Sequence, residues 1–194
     1  MAVQEKRRKV GAVLAGGLVL GVGAAVVMAA WNSSEFATGS FGTGGFVLEG
    51  KLPADADFTR HESAEKAAKL DFAIDTSNLS PGEDLTAAFA VRLAEKTTHD
   101  GTAVINTEVA NAVTGLTQRV YVSATPTCDG TVESEIIAST PLATGAGSDS
   151  FALAKGVAGA VGETVNLCFE VSAGNDLVPN STSVAVWNIA ATQE

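Results

Sequence analysis

The sequence predicts an all-β sandwich preceded by an N-terminal signal-peptide helix. From Phe46 onward, short segments alternate β-branched or aromatic residues with polar ones, the period of a strand with one buried face. Clusters of Gly, Pro, Asn and Asp separate these segments at strand-length intervals. No stretch after the leader carries the broad apolar stripe of a core helix. Seven or more short strands so spaced read as two packed sheets.

The leader comes first. Glu5-Lys6-Arg7-Arg8-Lys9 is a basic patch, and an uncharged apolar run from Val10 to Met28 follows, ending in Ala29-Ala30. Basic start, apolar middle and small-residue exit form an export signal, residues 1–29, whose cations stay on the cytoplasmic side of the bilayer. Val27 and Ala29 fit the small-residue positions before a cleavage point between Ala29 and Ala30. The alternative is an uncleaved transmembrane anchor, since Val10 to Ala30 is long enough to span a bilayer. Gly11, Gly16, Gly17, Gly21 and Gly23 weaken it as a helix. Contact with the membrane is thus expected only through the leader, before cleavage.

Residues 30–49 form an arm. Trp31, Phe36 and Phe41 place three large aromatics within twelve residues, and a Gly-rich hinge and Phe46-Val47-Leu48 follow. An exposed aromatic segment of this kind is an aggregation hazard unless something buries it. It can fold back on its own sheet or add as a strand to a neighbour.

The sandwich is expected over residues 50–194. Ala54 to Lys69 has good helix formers and the spaced pairs Glu62-Lys66 and Glu65-Lys69, but no broad apolar face, so a short surface helix or a loop is expected there. Leu70, Phe72 and Ile74 alternate with Asp71, Ala73 and Asp75. Leu85, Ala87, Phe89, Val91 and Leu93 make the next apolar face. Alternation continues over Thr102 to Val109, Gln118 to Thr125 and Thr131 to Ala138. Ala152 to Val161 is ambiguous. Val165, Leu167, Phe169 and Val171 are the strongest set, with Cys168 on the opposite face. From Ser183 to Thr192, Ala185, Trp187 and Ile189 share one face and Val184 and Val186 the other. Turns are expected at Pro81-Gly82, Asp100-Gly101, Asp129-Gly130, Gly145-Ala146-Gly147 and Gly174-Asn175-Asp176.

Charge narrows the partners. Without Glu5 and the four cations of the leader, totals of 22 acidic and 12 basic residues become 21 and 8, a net charge of -13. Nucleic acid and anionic lipid are poor partners for such a surface. Cys128 and Cys168, an isolated pair in the exported part, are most economically a disulfide.

Catalytic chemistry finds little support. His61 and His99 are the only histidines, and His61-Glu62 lacks a second imidazole one helical turn on, where Glu65 stands. No serine lies in a Gly-x-Ser-x-Gly elbow. Asp55 with Asp57, and Glu83 with Asp84, lack the spacing of a calcium loop. Gly39, Gly42, Gly44 and Gly45 precede no Lys-Ser/Thr, so they are no phosphate cradle. No catalytic, metal-binding or cofactor-binding residue is therefore expected.

Several segments resemble the TasA/camelysin family of exported bacterial surface proteins, whose leader is processed by a SipW-type signal peptidase. They are the junction Ala29-Ala30-Trp31-Asn32, then Phe36-Ala37-Thr38-Gly39-Ser40-Phe41, Phe46-Val47-Leu48, the turn Asn78-Leu79-Ser80-Pro81-Gly82-Glu83-Asp84-Leu85, and Ala190-Ala191-Thr192-Gln193. Between Glu95 and Val184 only the β pattern is shared. The resemblance implies a jelly-roll-like sandwich, secreted or held at the cell surface, that self-associates into biofilm matrix fibres or joins other matrix proteins. In that picture the mature N-terminus of one subunit completes the sheet of the next, with Trp31, Phe36 and Phe41 setting register. The family also implies a rival, a camelysin-type metallopeptidase. A monomeric adhesin or glycan-binding module, with Tyr121 and Trp187 as platforms, is the third reading.

Overall fold

The computed structural model describes residues 35, 37–39, 43–72, 76–145, 147 and 149–194. Thr43–Glu194 forms the compact unit. Its eight strands are β1 (Leu48–Lys51), β2 (Asp84–Leu93), β3 (Gly101–Ala110), β4 (Leu116–Ser123), β5 (Val132–Pro141), β6 (Phe151–Leu153), β7 (Val165–Ala173) and β8 (Val184–Gln193). They make two antiparallel sheets, one ordered β1-β2-β7-β4-β5 and the other β6-β3-β8. The all-β sandwich expected from the alternation is the fold observed.

The order of the strands is that of a jelly roll with one place changed. An eight-strand jelly roll sets strands 2-7-4-5 against 1-8-3-6. Here β2-β7-β4-β5 and β8-β3-β6 keep those positions, but β1 pairs with β2, from Leu48↔Leu93 to Lys51↔Ala90. Among the described residues no strand lies on the far side of β8.

The core follows from strand periodicity. In β2 the five apolar residues Leu85, Ala87, Phe89, Val91 and Leu93 are all buried while their neighbours are not. Leu167, Phe169 and Val171 continue that face on β7, and Val120 and Val122 on β4. Ala103 and Ile105 of β3 face them from the other sheet, joined by Phe151, Leu153, Trp187, Ile189 and Ala191. Phe169 and Trp187 meet across the sheets with ring centroids 5.2 Å apart. Burial of these side chains, at about 1.5–3 kcal/mol each, is what holds the two sheets together.

Several expectations are corrected. Leu70–Phe72 lies outside any strand, and residues 73–75 fall outside the described residues. Leu70 and Phe72 instead anchor an irregular segment, since with Ala68 and Leu79 they pack on the two core clusters to which β2 contributes. The alternation reflected side-chain burial without a ladder. Ala54–Lys69 holds one 3-10 turn, Ala64–Lys66, and no longer helix. Arg60 pairs with Glu62 there. Gly101 opens β3 rather than a turn, because Phe46 packs on it where a Cβ would stand, 2.6 Å from the Phe46 ring. Phe46 to Leu48 therefore belong to the sandwich and not to the arm. The ambiguous stretch resolves into β6 and a 3-10 turn at Val157–Gly159.

Candidate functional site

The arm and leader residues Ala29, Ala30, Trp31, Phe36 and Phe41 lie outside the described residues. Of residues 30–42, Glu35 and Ala37–Gly39 are described, and each is exposed and outside any strand. Cys128 and Cys168 are joined, with Cα atoms 5.6 Å apart. Cys168 sits on the outer face of central strand β7, and Cys128 on the loop between β4 and β5, so the bond straps that loop over the sheet. Tyr121, the β4 partner of Cys168, is only 2 % exposed. Burial pushes its phenol pKa up, and the nearby Glu170 carboxylate adds to the effect. Arg119 stands 5.0 Å from that ring and is held by Glu135 at 2.6 Å and Glu170 at 3.6 Å. The Glu135 bond in particular raises the Arg119 pKa further.

Neither expected aromatic platform is open to a ligand. Trp187 is half-buried against the core, and its Nε1 donates to Gln118 Oε1 at 2.8 Å. Thr107 Oγ1 donates to the same oxygen at 3.0 Å. Gln118 is 1 % exposed and reaches the interior because it takes an inward position on β4 between Leu116 and Val120. Sequence reasoning missed this polar bridge between the sheets; the signal was a Gln in phase with the apolar face. His61 packs edge-on against Phe89, and His99 accompanies Thr98 at the surface. Among the described residues no three His, Cys, Asp or Glu side chains gather closely enough to hold a metal. Nor is any described helix long and apolar enough to cross a membrane.

What distinguishes the unit is one of its sheet edges. An edge strand exposes unpaired backbone groups, and proteins blunt it by shortness, charge, proline, bulges or a cover. At one end of the large sheet, β1 has four residues and its Gly50 exchanges two 2.9 Å backbone bonds with Thr59. At the other end, β5 carries Glu133, Glu135 and Pro141 and pairs with β4 through register shifts, one of which leaves both Ile136 and Ile137 buried. In the small sheet, β6 has three residues.

Among the described residues, the fourth edge, β8, is neither short, charged, proline-bearing nor bulged, and no second strand pairs with it. It runs for ten residues, Val-Ala-Val-Trp-Asn-Ile-Ala-Ala-Thr-Gln, without charge or proline, in unbroken register with β3. Glu194 N–H donates to Asp100 at 3.0 Å, which fixes the phase of the ladder. Even-numbered residues of β8 therefore bond to β3, and the backbone groups of Ala185, Trp187, Ile189, Ala191 and Gln193 point away from it. The outer face beside this edge is small and nearly uncharged: Val104, Asn106, Val186, Asn188 and Ala190, with Glu108 the one acid of the strands.

These features define an all-β sandwich with a strapped outer face and, among the described residues, a long unguarded edge at β8. No family model matches the chain, and no curated protein matches it.

Proposed function

We propose that this chain is an exported, non-catalytic structural subunit of extracellular or biofilm-matrix fibres, assembled by donation of the mature N-terminal arm to another subunit. One observation carries the reading: β8 is a long, uncharged edge in unbroken register which, among the described residues, has none of the protection given to the other three. A monomer gains nothing from such an edge, whereas a subunit that polymerises by β-augmentation requires one. The disulfide suits an oxidising, extracytoplasmic setting. Cleavage before Ala30 would free the arm only after export, so that assembly begins outside the cell. The burial of Tyr121 and the inward packing of Trp187 leave the glycan-binding reading without its platforms.

Electron microscopy and size-exclusion chromatography test this on protein beginning at Ala30, beside a version lacking residues 30–41. The expected result is filaments from the first and monomers from the second. Folded monomers from both, across salt, pH and concentration, would falsify the reading.

A further inference from the structure

We propose that Thr107 and Gln118 react with each other once the chain has folded, forming an ester that joins the two sheets covalently and releasing ammonia. The step requires the sandwich alone and is independent of any assembly into fibres.

Strand register brings the groups together. Thr107 of β3 and Trp187 of β8 are direct partners in the small sheet, and Gln118 enters the same interior from β4 of the large sheet. Both partners donate to one atom, Gln118 Oε1: Thr107 Oγ1 from 3.0 Å and Trp187 Nε1 from 2.8 Å. An indole nitrogen only donates, so the atom it meets is the amide oxygen, and the orientation of the amide is fixed. Nε2 therefore points away from both, buried and with no hydrogen-bond partner among the described residues. Burial makes that unpaired donor destabilising.

These are the parts of an acyl-transfer site: a hydroxyl nucleophile, a polarised carbonyl and a leaving group that nothing holds. Attack requires Thr107 Oγ1 to move from Oε1 to the adjacent carbon, a shift on the order of one C=O bond length. The Oγ1–Cδ bond then forms, and negative charge gathers on Oε1, where the Trp187 N–H stabilises it. The hydroxyl proton passes to Nε2, the Cδ–Nε2 bond breaks, and ammonia leaves. The chain loses one nitrogen and three hydrogens, with no oxidant, reductant or cofactor.

The fold supplies both rate and direction. A well-oriented intramolecular pair gains an effective molarity on the order of 10⁵–10⁸ M, and one oxyanion donor adds about 10²–10³-fold. Each molecule reacts once, so a slow step suffices. The product keeps a carbonyl oxygen for Trp187 and no longer contains the unpaired nitrogen, which favours the ester over the amide. Leu116 and Val120, the inward neighbours of Gln118 on β4, are buried, and Phe169 packs on the indole, so the ester is sheltered from hydrolysis.

Mass spectrometry of the chain beginning at Ala30, folded and incubated at neutral pH, tests the proposal. Its intact mass, corrected for the disulfide, should fall by that of one ammonia. After denaturation, trypsin and a glutamyl endopeptidase cut after Lys96, Glu108 and Arg119. Segments 97–108 and 109–119 should stay joined, and hydroxylamine, which attacks esters, should separate them. Thr107→Ser should keep the mass loss, and Thr107→Val, with native circular dichroism, should lack it. Trp187→Phe should slow its appearance by about 10²–10³-fold, and an unchanged rate would overturn the part given to the indole. An unaltered mass in the folded chain after prolonged incubation overturns the proposal. So does a mass loss that persists in Thr107→Val or leaves the two segments separate, because ammonia would then have come from another amide.

Discussion

Breaking the Cys128–Cys168 bond should lower stability by about 4 kcal/mol. The two residues are 40 apart in sequence, and the entropy of closing a loop of that length in the unfolded chain sets the figure. For the unit Thr43–Glu194, an unfolding entropy of about 2.1 cal/mol/K per residue converts it to a fall in Tm of roughly 12 °C. Cys128→Ser is the suitable change, because Cys128 is half-exposed while Cys168 is buried in the sheet. The loop it releases is otherwise held by a few bonds, such as Thr125 Oγ1 to Thr127 O at 2.7 Å, and it shelters the phenol of Tyr121. Thermal unfolding by circular dichroism, with and without reductant, measures the first effect. Ultraviolet titration of the tyrosine measures the second, and its pKa should move back toward 10.0. A Tm loss below about 3 °C together with an unchanged tyrosine titration would refute the loop-entropy reasoning and the role of the bond as a strap.

Other changes test the interior and the charges. Gln118→Leu leaves the Trp187 Nε1–H and the Thr107 hydroxyl without their acceptor and should cost about 1–3 kcal/mol in urea unfolding. Adding Trp187→Phe should cost less than the sum of the single changes, because the unpaired donor is gone; additive losses would dissolve the bridge. Gly115→Ala should destabilise by about 2 kcal/mol or more in the same assay, since its φ is +89° and a Cβ would stand 2.6 Å from the Leu177 backbone. Hydrogen bonds from the Lys155 and Thr131 backbone N–H groups hold Asp100 and Asp129 below the ordinary aspartate value of 3.8. Their contribution is therefore full above pH 3.8 and lost as pH falls through the lower folded values. Tyr121, raised above 10.0, contributes in full below pH 10.0 and loses that contribution as pH rises through its folded value. Urea midpoints measured across both ranges check the two directions, and a midpoint that rises on acidification below 3.8 contradicts the first.

The strands that were legible in the sequence are those with one face in the core. From Leu85 to Leu93 and Val165 to Val171, hydrophobic alternation states both the strand and its buried side. β1 and β6 are too short for a period to show, and their places in the sheets depend on pairing across about forty residues or more. Leu70 and Phe72 alternate because both are anchors, and alternation alone does not distinguish an anchor from a ladder. The disulfide was legible because, once residues 1–29 are read as an export leader, an isolated pair of cysteines has few other expected uses. The unguarded edge was not. Its composition, Val184 to Gln193, is plain in the sequence, but an edge strand differs from a central one only in having a single neighbour.

The unbroken register of β8 against β3 also determines how the sandwich would respond to force. A pull directed along β8 loads the hydrogen bonds from Ala110↔Val184 to Gly101↔Gln193 together, in shear, instead of peeling them one after another. The Trp187–Gln118 bond passes part of that load across the core to β4, which lies next to β7 and its disulfide. The edge strand β8 is thus firmly tied to the rest of the sandwich, although it has a single strand neighbour among the described residues.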